Sequence, residues 1–116
     1  MALSESICVQ AKLTLRSTAD GGRETGIKTC YRPNHVFEYR DGQIVSYIGE
    51  ILFDKDKIIM PGDTADVTVC FLKIPEVQPY LTLGRQWFIH EGPKLLGQAV
   101  ITKLLDVDCR QVDSVV

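Results

Sequence analysis

Apolar and polar residues alternate along this chain with the period of a half-buried strand. From residue 9 to residue 16, Val9, Ala11, Leu13 and Leu15 fall on one side and Gln10, Lys12, Thr14 and Arg16 on the other, so one face meets a core and the other meets water. The same period returns from Ala65 to Leu72, where Ala65, Val67, Val69 and Phe71 alternate with Asp66, Thr68, Cys70 and Leu72. Further strands are predicted over Ile27 to Tyr31, Val36 to Arg40, Gln43 to Phe53, Arg85 to His90 and Leu95 to Val107. Helical spacing nowhere persists long enough, with a cap, to predict a helix.

Turn chemistry separates these runs. Ser17 to Gly26 is turn-rich, and Gly21-Gly22 can take positive φ at little cost. Pro33 has no backbone N–H and interrupts any ladder. Asp41-Gly42 is a two-residue hairpin signal, and Gly49 marks a bulge or bend inside the strand that follows. Asp54 to Lys57, Met60 to Asp63 and Glu91 to Lys94 are further turns. Lys73 to Thr82, with Pro75 and Pro79, reads as an irregular excursion. Asp108 to Val116 carries no pattern and is expected to fray. Six or seven short strands at this spacing predict an all-β sandwich or barrel.

Composition narrows the class. The 116 residues fit one domain over 1–116, with 45% hydrophobic and 24% charged residues, the balance of an ordinary soluble protein. No apolar run approaches the roughly 20 residues that cross a bilayer, so no membrane is expected. Met1 to Ile7 lacks the basic-then-apolar order of an export signal, which makes the cytoplasm the expected location. A formal net charge of -2 and a pI near 5.6 argue against a generally basic nucleic-acid binder, while leaving a local patch open.

Candidate chemistry is sparse. Cys8, Cys30, Cys70 and Cys109 are far apart with no C-x-x-C pair, and His35 and His90 complete no zinc-ligand spacing; buried or idle thiols and no metal are the expectation. Asp54, Asp56 and Asp63 have Lys55 and Lys57 between them, so a solvated turn is expected rather than a carboxylate site. Neither histidine has a serine or cysteine at motif spacing, and no G-x-x-x-x-G-K-[ST] loop is present to cradle phosphates. An enzyme, a cofactor and a bound nucleotide are therefore not expected.

Three pieces of the chain, in order, resemble the third, C-terminal β-barrel domain of elongation factor Tu. They are Gly21-Gly22-Arg23-Glu24-Thr25-Gly26 followed by Tyr31-Arg32-Pro33; Met60-Pro61-Gly62-Asp63 leading into an alternating strand; and Ile89-His90-Glu91-Gly92 with Gly97 and Ile101-Thr102-Lys103. The match covers roughly residues 9 to 105, as though that domain stood alone without its GTPase domain. The resemblance implies a closed six-stranded antiparallel β-barrel, a fold that leaves no strand edge exposed. It also implies a non-catalytic binding module of translation, meeting a protein or structured, tRNA-like RNA through a barrel face.

Carried over by position, the family's tRNA-contacting residues fall on Arg23, Arg32, Lys73, Glu91 and Gly92. The bland alternative makes Arg23 and Lys73 solvated loop charges and Arg32 a structural group tied to a nearby carboxylate. The family's second turn glycine is Pro93 here, the arginine after it is Lys94, and Ile48 replaces a threonine before Gly49. In the strand Gln86-Trp87-Phe88-Ile89-His90, Trp87 and Ile89 match core positions, so alternation sends Gln86, Phe88 and His90 outward. Phe88 stands where the family has a small alanine facing the GTPase domain. It is a candidate anchor for another protein or for a second copy of the chain, unless the 73–82 excursion folds over it.

Overall fold

The computed structural model describes residues 6–105. Six strands form a closed antiparallel barrel: β1 (Ser6–Leu15), β2 (Asn34–Arg40), β3 (Gln43–Leu52), β4 (Thr64–Leu72), β5 (Gln86–Glu91) and β6 (Lys94–Leu104). Their order around the barrel is β1-β4-β3-β2-β5-β6, and β6 returns to pair with β1. Closure gives every strand two hydrogen-bonded neighbours, which the all-β pattern needs in a chain too short to cover free edges.

The alternation drives this arrangement. Val9, Ala11, Leu13 and Leu15 of β1, Val67, Val69 and Phe71 of β4, and Trp87 and Ile89 of β5 all point inward and are buried. The inner strand positions sum to one core. Asp41 and Gly42 turn the β2–β3 hairpin with φ of 51° and 75°, the two positive values that a tight type I′ turn requires.

Two sequence expectations change in detail. The run Ile27 to Tyr31 forms no strand; its backbone bridges are isolated ones, at Ile27–Ile59 and Tyr31–Ile51. Cys30, at φ 70°, takes the chain out of extended geometry just before the second stitch. The register of β2 against β3 shifts between Val36 and Glu38, so the bulge lies on β2, while Gly49 pairs in register with Phe71. Gly49 instead makes room: a Cβ there would lie 3.0 Å from the His35 ring and from Phe71.

Antiparallel order assigns each connection to one end of the barrel. The upper rim carries the long segment 16–33, the segment 53–63 and the turn at Gly92-Pro93; the lower rim carries the Asp41-Gly42 turn and the segment 73–85. That lower segment turns inward. Val77 and Leu81 join the core, and Tyr80 stacks on Phe37 with ring centroids 4.9 Å apart. Arg85 lies 5.2 Å over the Tyr80 ring and donates to the Phe37 carbonyl at 2.8 Å, closing the end of the barrel.

The cysteine expectation also needs correction. Cys8 and Cys70 face each other directly across β1 and β4, 4.1 Å apart at Cα, and are joined in a disulfide. Sequence spacing of 62 residues hid a pair that only strand register brings together. Cys30 is free and exposed; Cys109 and the 108–116 tail lie outside the described residues, as does the end of the strand expected to reach Val107. No helix among the described residues is long and apolar enough to cross a membrane.

Candidate functional site

Two surfaces gather the residues singled out by sequence. The first is the upper rim, where Arg23 is locked in place. Its guanidinium pairs with the Glu91 carboxylate, donates to the Thr25 carbonyl at 3.1 Å and lies 5.2 Å over the Tyr31 ring. The Tyr31 hydroxyl donates to the same Glu91 oxygen at 2.5 Å. Burial and this bond to Glu91 push the Tyr31 phenol well above its ordinary value, with Arg23 opposing them. The trio ties the 16–33 segment to the end of β5, which is a structural task.

Of the rest of the expected RNA-contacting set, Arg32 and Gly92 share this rim and Lys73 does not. Arg32 reaches Glu50 at 3.4 Å with much of its side chain exposed, so it stays free to meet a ligand. Gly92 opens the β5–β6 turn at φ 58°, but its N–H already donates to Asn34 Oδ1 at 3.0 Å, and Pro93 has none to offer. Lys73 follows the end of β4 on the lower rim, on the order of 25–30 Å of strand away at about 3.3 Å per residue. Gly21-Gly22 offers no anion cradle either, since both N–H groups bond back to Thr18 and Ser17.

Beside Arg23, a shallow groove of about 650 Å³ runs between the 23–31 segment and the exposed side chains of Ile58 and Met60. Gly26 lets the segment pack closely against the 58–60 stretch, because a Cβ there would sit 2.5 Å from Ile58.

The second surface is the outer face of β2, β5 and β6. Alternation sends Gln86, Phe88 and His90 outward as expected, yet their exposure differs sharply: Gln86 is exposed, Phe88 half-buried and His90 buried. The ring responsible is Tyr39, which packs against Phe88 at 6.2 Å and against His90 at 5.7 Å. Its hydroxyl lies 2.7 Å from His90 Nε2. The alternative cover, by the 73–82 excursion, is not what occurs, since Val77 and Leu81 of that segment join the core at the lower rim. The β2 bulge explains Tyr39: one extra residue leaves Val36, paired with Phe88, and Tyr39 both facing outward, three positions apart.

On the β6 side the face opens into a cleft of about 270 Å³ lined by Thr14, Arg16, Phe88, Leu95, Gly97 and Gln98. Gly97 lines it through its backbone, since its Cβ direction runs inward, where a methyl would lie 2.5 Å from the Thr14 carbonyl. Gln86 donates across to Gln98 at 2.8 Å on its border. Sequence reasoning missed Tyr39, Leu95 and Arg16. Leu95 had a signal: of two adjacent leucines on a two-faced strand, one must point away from the core, and Leu96 is the one buried.

Among the described residues no three His, Cys, Asp or Glu side chains gather as a metal site. His35 lies in the core beneath Trp87, and His90 lies on the outer face. No protein-family model matches the chain.

Proposed function

We propose that this barrel is a non-catalytic binding module, related to the third domain of elongation factor Tu, that engages a protein partner through the outer face of β2, β5 and β6. The observation that supports this reading is Phe88 beside Leu95 on an outward face, propped by Tyr39 and bordering an apolar cleft. Large apolar side chains held rigid and partly desolvated are what interface anchors look like. The three resembling sequence pieces support the descent from the translation factor. Phe88 replaces a small residue on the side that would face a GTPase domain, so the partner differs from that domain or is a second copy of this chain. Sedimentation and partner capture with wild type beside Phe88→Ser test the reading; association that is identical in both sinks it.

A second reading, binding of structured RNA, draws on the upper rim, where Arg32 is loosely paired and Lys94 flanks the turn. It is the weaker of the two, because Arg23 is neutralised by Glu91 and Lys73 sits on the other rim. Phosphate contacts make binding fall steeply with salt. A gel shift with bulk tRNA at low and moderate salt, with Arg32→Ala alongside, tests it; a complex indifferent to salt and to Arg32 removes RNA.

A cytoplasmic location follows from the sequence reading alone. The Cys8–Cys70 disulfide pulls against it, since reducing compartments keep such pairs open.

A further inference from the structure

We propose that the cleft between Phe88 and Leu95 receives one apolar side chain from an acidic segment of a protein partner, with Arg16 pairing a carboxylate that flanks that side chain. The inference rests on the reading of the outer face as a protein-binding surface and adds the chemistry of what binds.

Size comes first. At about 270 Å³ the cleft falls below the ~300–1,000 Å³ of sites that enclose a small molecule, and suits a single leucine, methionine or phenylalanine side chain. Its walls are the Phe88 ring and Leu95 on the outer face, with Thr14 and Gln98 beside them. Gly97 contributes backbone only: it pairs with the inward-facing Ile89, and a Cβ there would meet the Thr14 carbonyl and Leu15.

Charge selects the flanks. None of the six lining residues is acidic, and Arg16 supplies the one formal charge. Its guanidinium makes a long 3.4 Å contact to the Leu95 carbonyl, and among the described residues no carboxylate forms an ion pair with it. A neutral or basic segment docking here would desolvate Arg16 without replacing its water, whereas a flanking Asp or Glu gives a charge-assisted hydrogen bond. RNA fits less well: a phosphate brings no apolar group to fill the cleft, and one cation supports only one phosphate contact.

The test is a titration of the ¹⁵N-labelled chain followed by amide shifts. Three probes are used: a decapeptide with a central leucine flanked by aspartates and glutamates, the same peptide with asparagines and glutamines, and a decauridylate. The acidic peptide is expected to shift the amides of Arg16, Leu95, Gly97 and Gln98 and to bind at least fivefold more tightly than its neutral twin. Arg16→Gln should erase that difference, and Leu95→Glu should abolish binding; both sites are surface-accessible, and the dispersion of the spectrum reports that each variant is folded. Equal binding of the two peptides at these amides overturns the acidic preference and leaves the protein-binding face standing. Absence of shifts at these amides with millimolar acidic peptide, or shifts there with decauridylate alone, overturns the cleft as a peptide site. The wider face is then judged separately by Phe88→Ser.

Discussion

The indole N–H of Trp87 donates to Nδ1 of His35 across 3.1 Å inside the barrel. Trp87 can only donate, so Nδ1 must be bare and the proton of the neutral imidazole sits on Nε2. That nitrogen faces the Gly49 backbone without a full hydrogen bond. A histidine in this setting resists a second proton, since an imidazolium would break the Trp87 bond and place a charge in the core.

Burial lowers the His35 imidazole from 6.5 to about 4, with the Gly49 backbone offsetting only part of the shift. The neutral form is favoured by the fold, so the unfolded chain takes up its proton first as pH falls. The His35 contribution to stability is expected to be complete above about pH 6.5 and to decline down to about pH 4, by roughly 3 kcal/mol at 1.36 kcal/mol per unit. Urea midpoints at pH 7.5, 5.5 and 4.5 measure it. His35→Gln should be less stable at pH 7.5 but show a flatter profile; equal slopes in the two proteins would refute the assignment.

Gly49→Ala is expected to cost about 1–3 kcal/mol, the range for overpacking a filled core, because the new methyl meets His35 and Phe71 at 3.0 Å. In a His35→Ala background the cost should shrink. A double-mutant cycle by chemical denaturation reads the coupling, and additive costs would mean that the methyl finds space elsewhere.

Reduction of Cys8–Cys70 is expected to lower stability by about 2–4 kcal/mol, the usual range for a native disulfide, with chain entropy for a 62-residue separation at the upper end. Unfolding with and without a phosphine reductant, beside the Cys8→Ser/Cys70→Ser double variant, checks it. A reductant effect that persists in the double variant would point to another cysteine.

Arg23 and Glu91 retain 24% and 42% side-chain exposure, so the pair should contribute no more than about 1 kcal/mol. Its clearer signature is Tyr31. Glu91→Gln should bring the Tyr31 phenol down toward its ordinary value, visible as earlier ionisation in an ultraviolet titration at high pH, while Arg23→Ala should move it further up. Tyr31 behaving alike in all three proteins would separate it from the carboxylate.

The fold was readable in the sequence to an unusual degree because closure needs only strands and tight turns, and both leave local marks: the clean alternation of β1 and β4, and Asp41-Gly42 between β2 and β3. Legibility ended where two distant residues meet. Nothing near Cys8 announces Cys70, since their opposition depends on β1–β4 register. Of the bulge or bend expected at Gly49, the bulge lies on β2 instead, and the local sequence carried no sign of the packing role of this glycine, because the side chain that needs the space, His35, lies on another strand. On the candidate face, alternation gave the direction of Gln86, Phe88 and His90 correctly but not their exposure. That was decided by Tyr39, and Tyr39 is brought there by a bulge with no glycine to signal it. The resembling motifs imply one surface for Arg23, Arg32, Lys73, Glu91 and Gly92, but the topology puts Lys73 on the rim opposite the other four.

The barrel closes through β1 and β6, which run antiparallel with Val9 opposite Leu104. Tension applied to the chain just before Ser6 and just after Leu104 would enter at one corner of the lower rim and open that seam like a zipper, rupturing its bonds in turn instead of shearing them together. The Cys8–Cys70 clip holds β1 to β4, so β6 would peel away first and carry Leu95 and Gly97 with it. Mechanical load would thus dismantle the cleft while half of the sheet still stood.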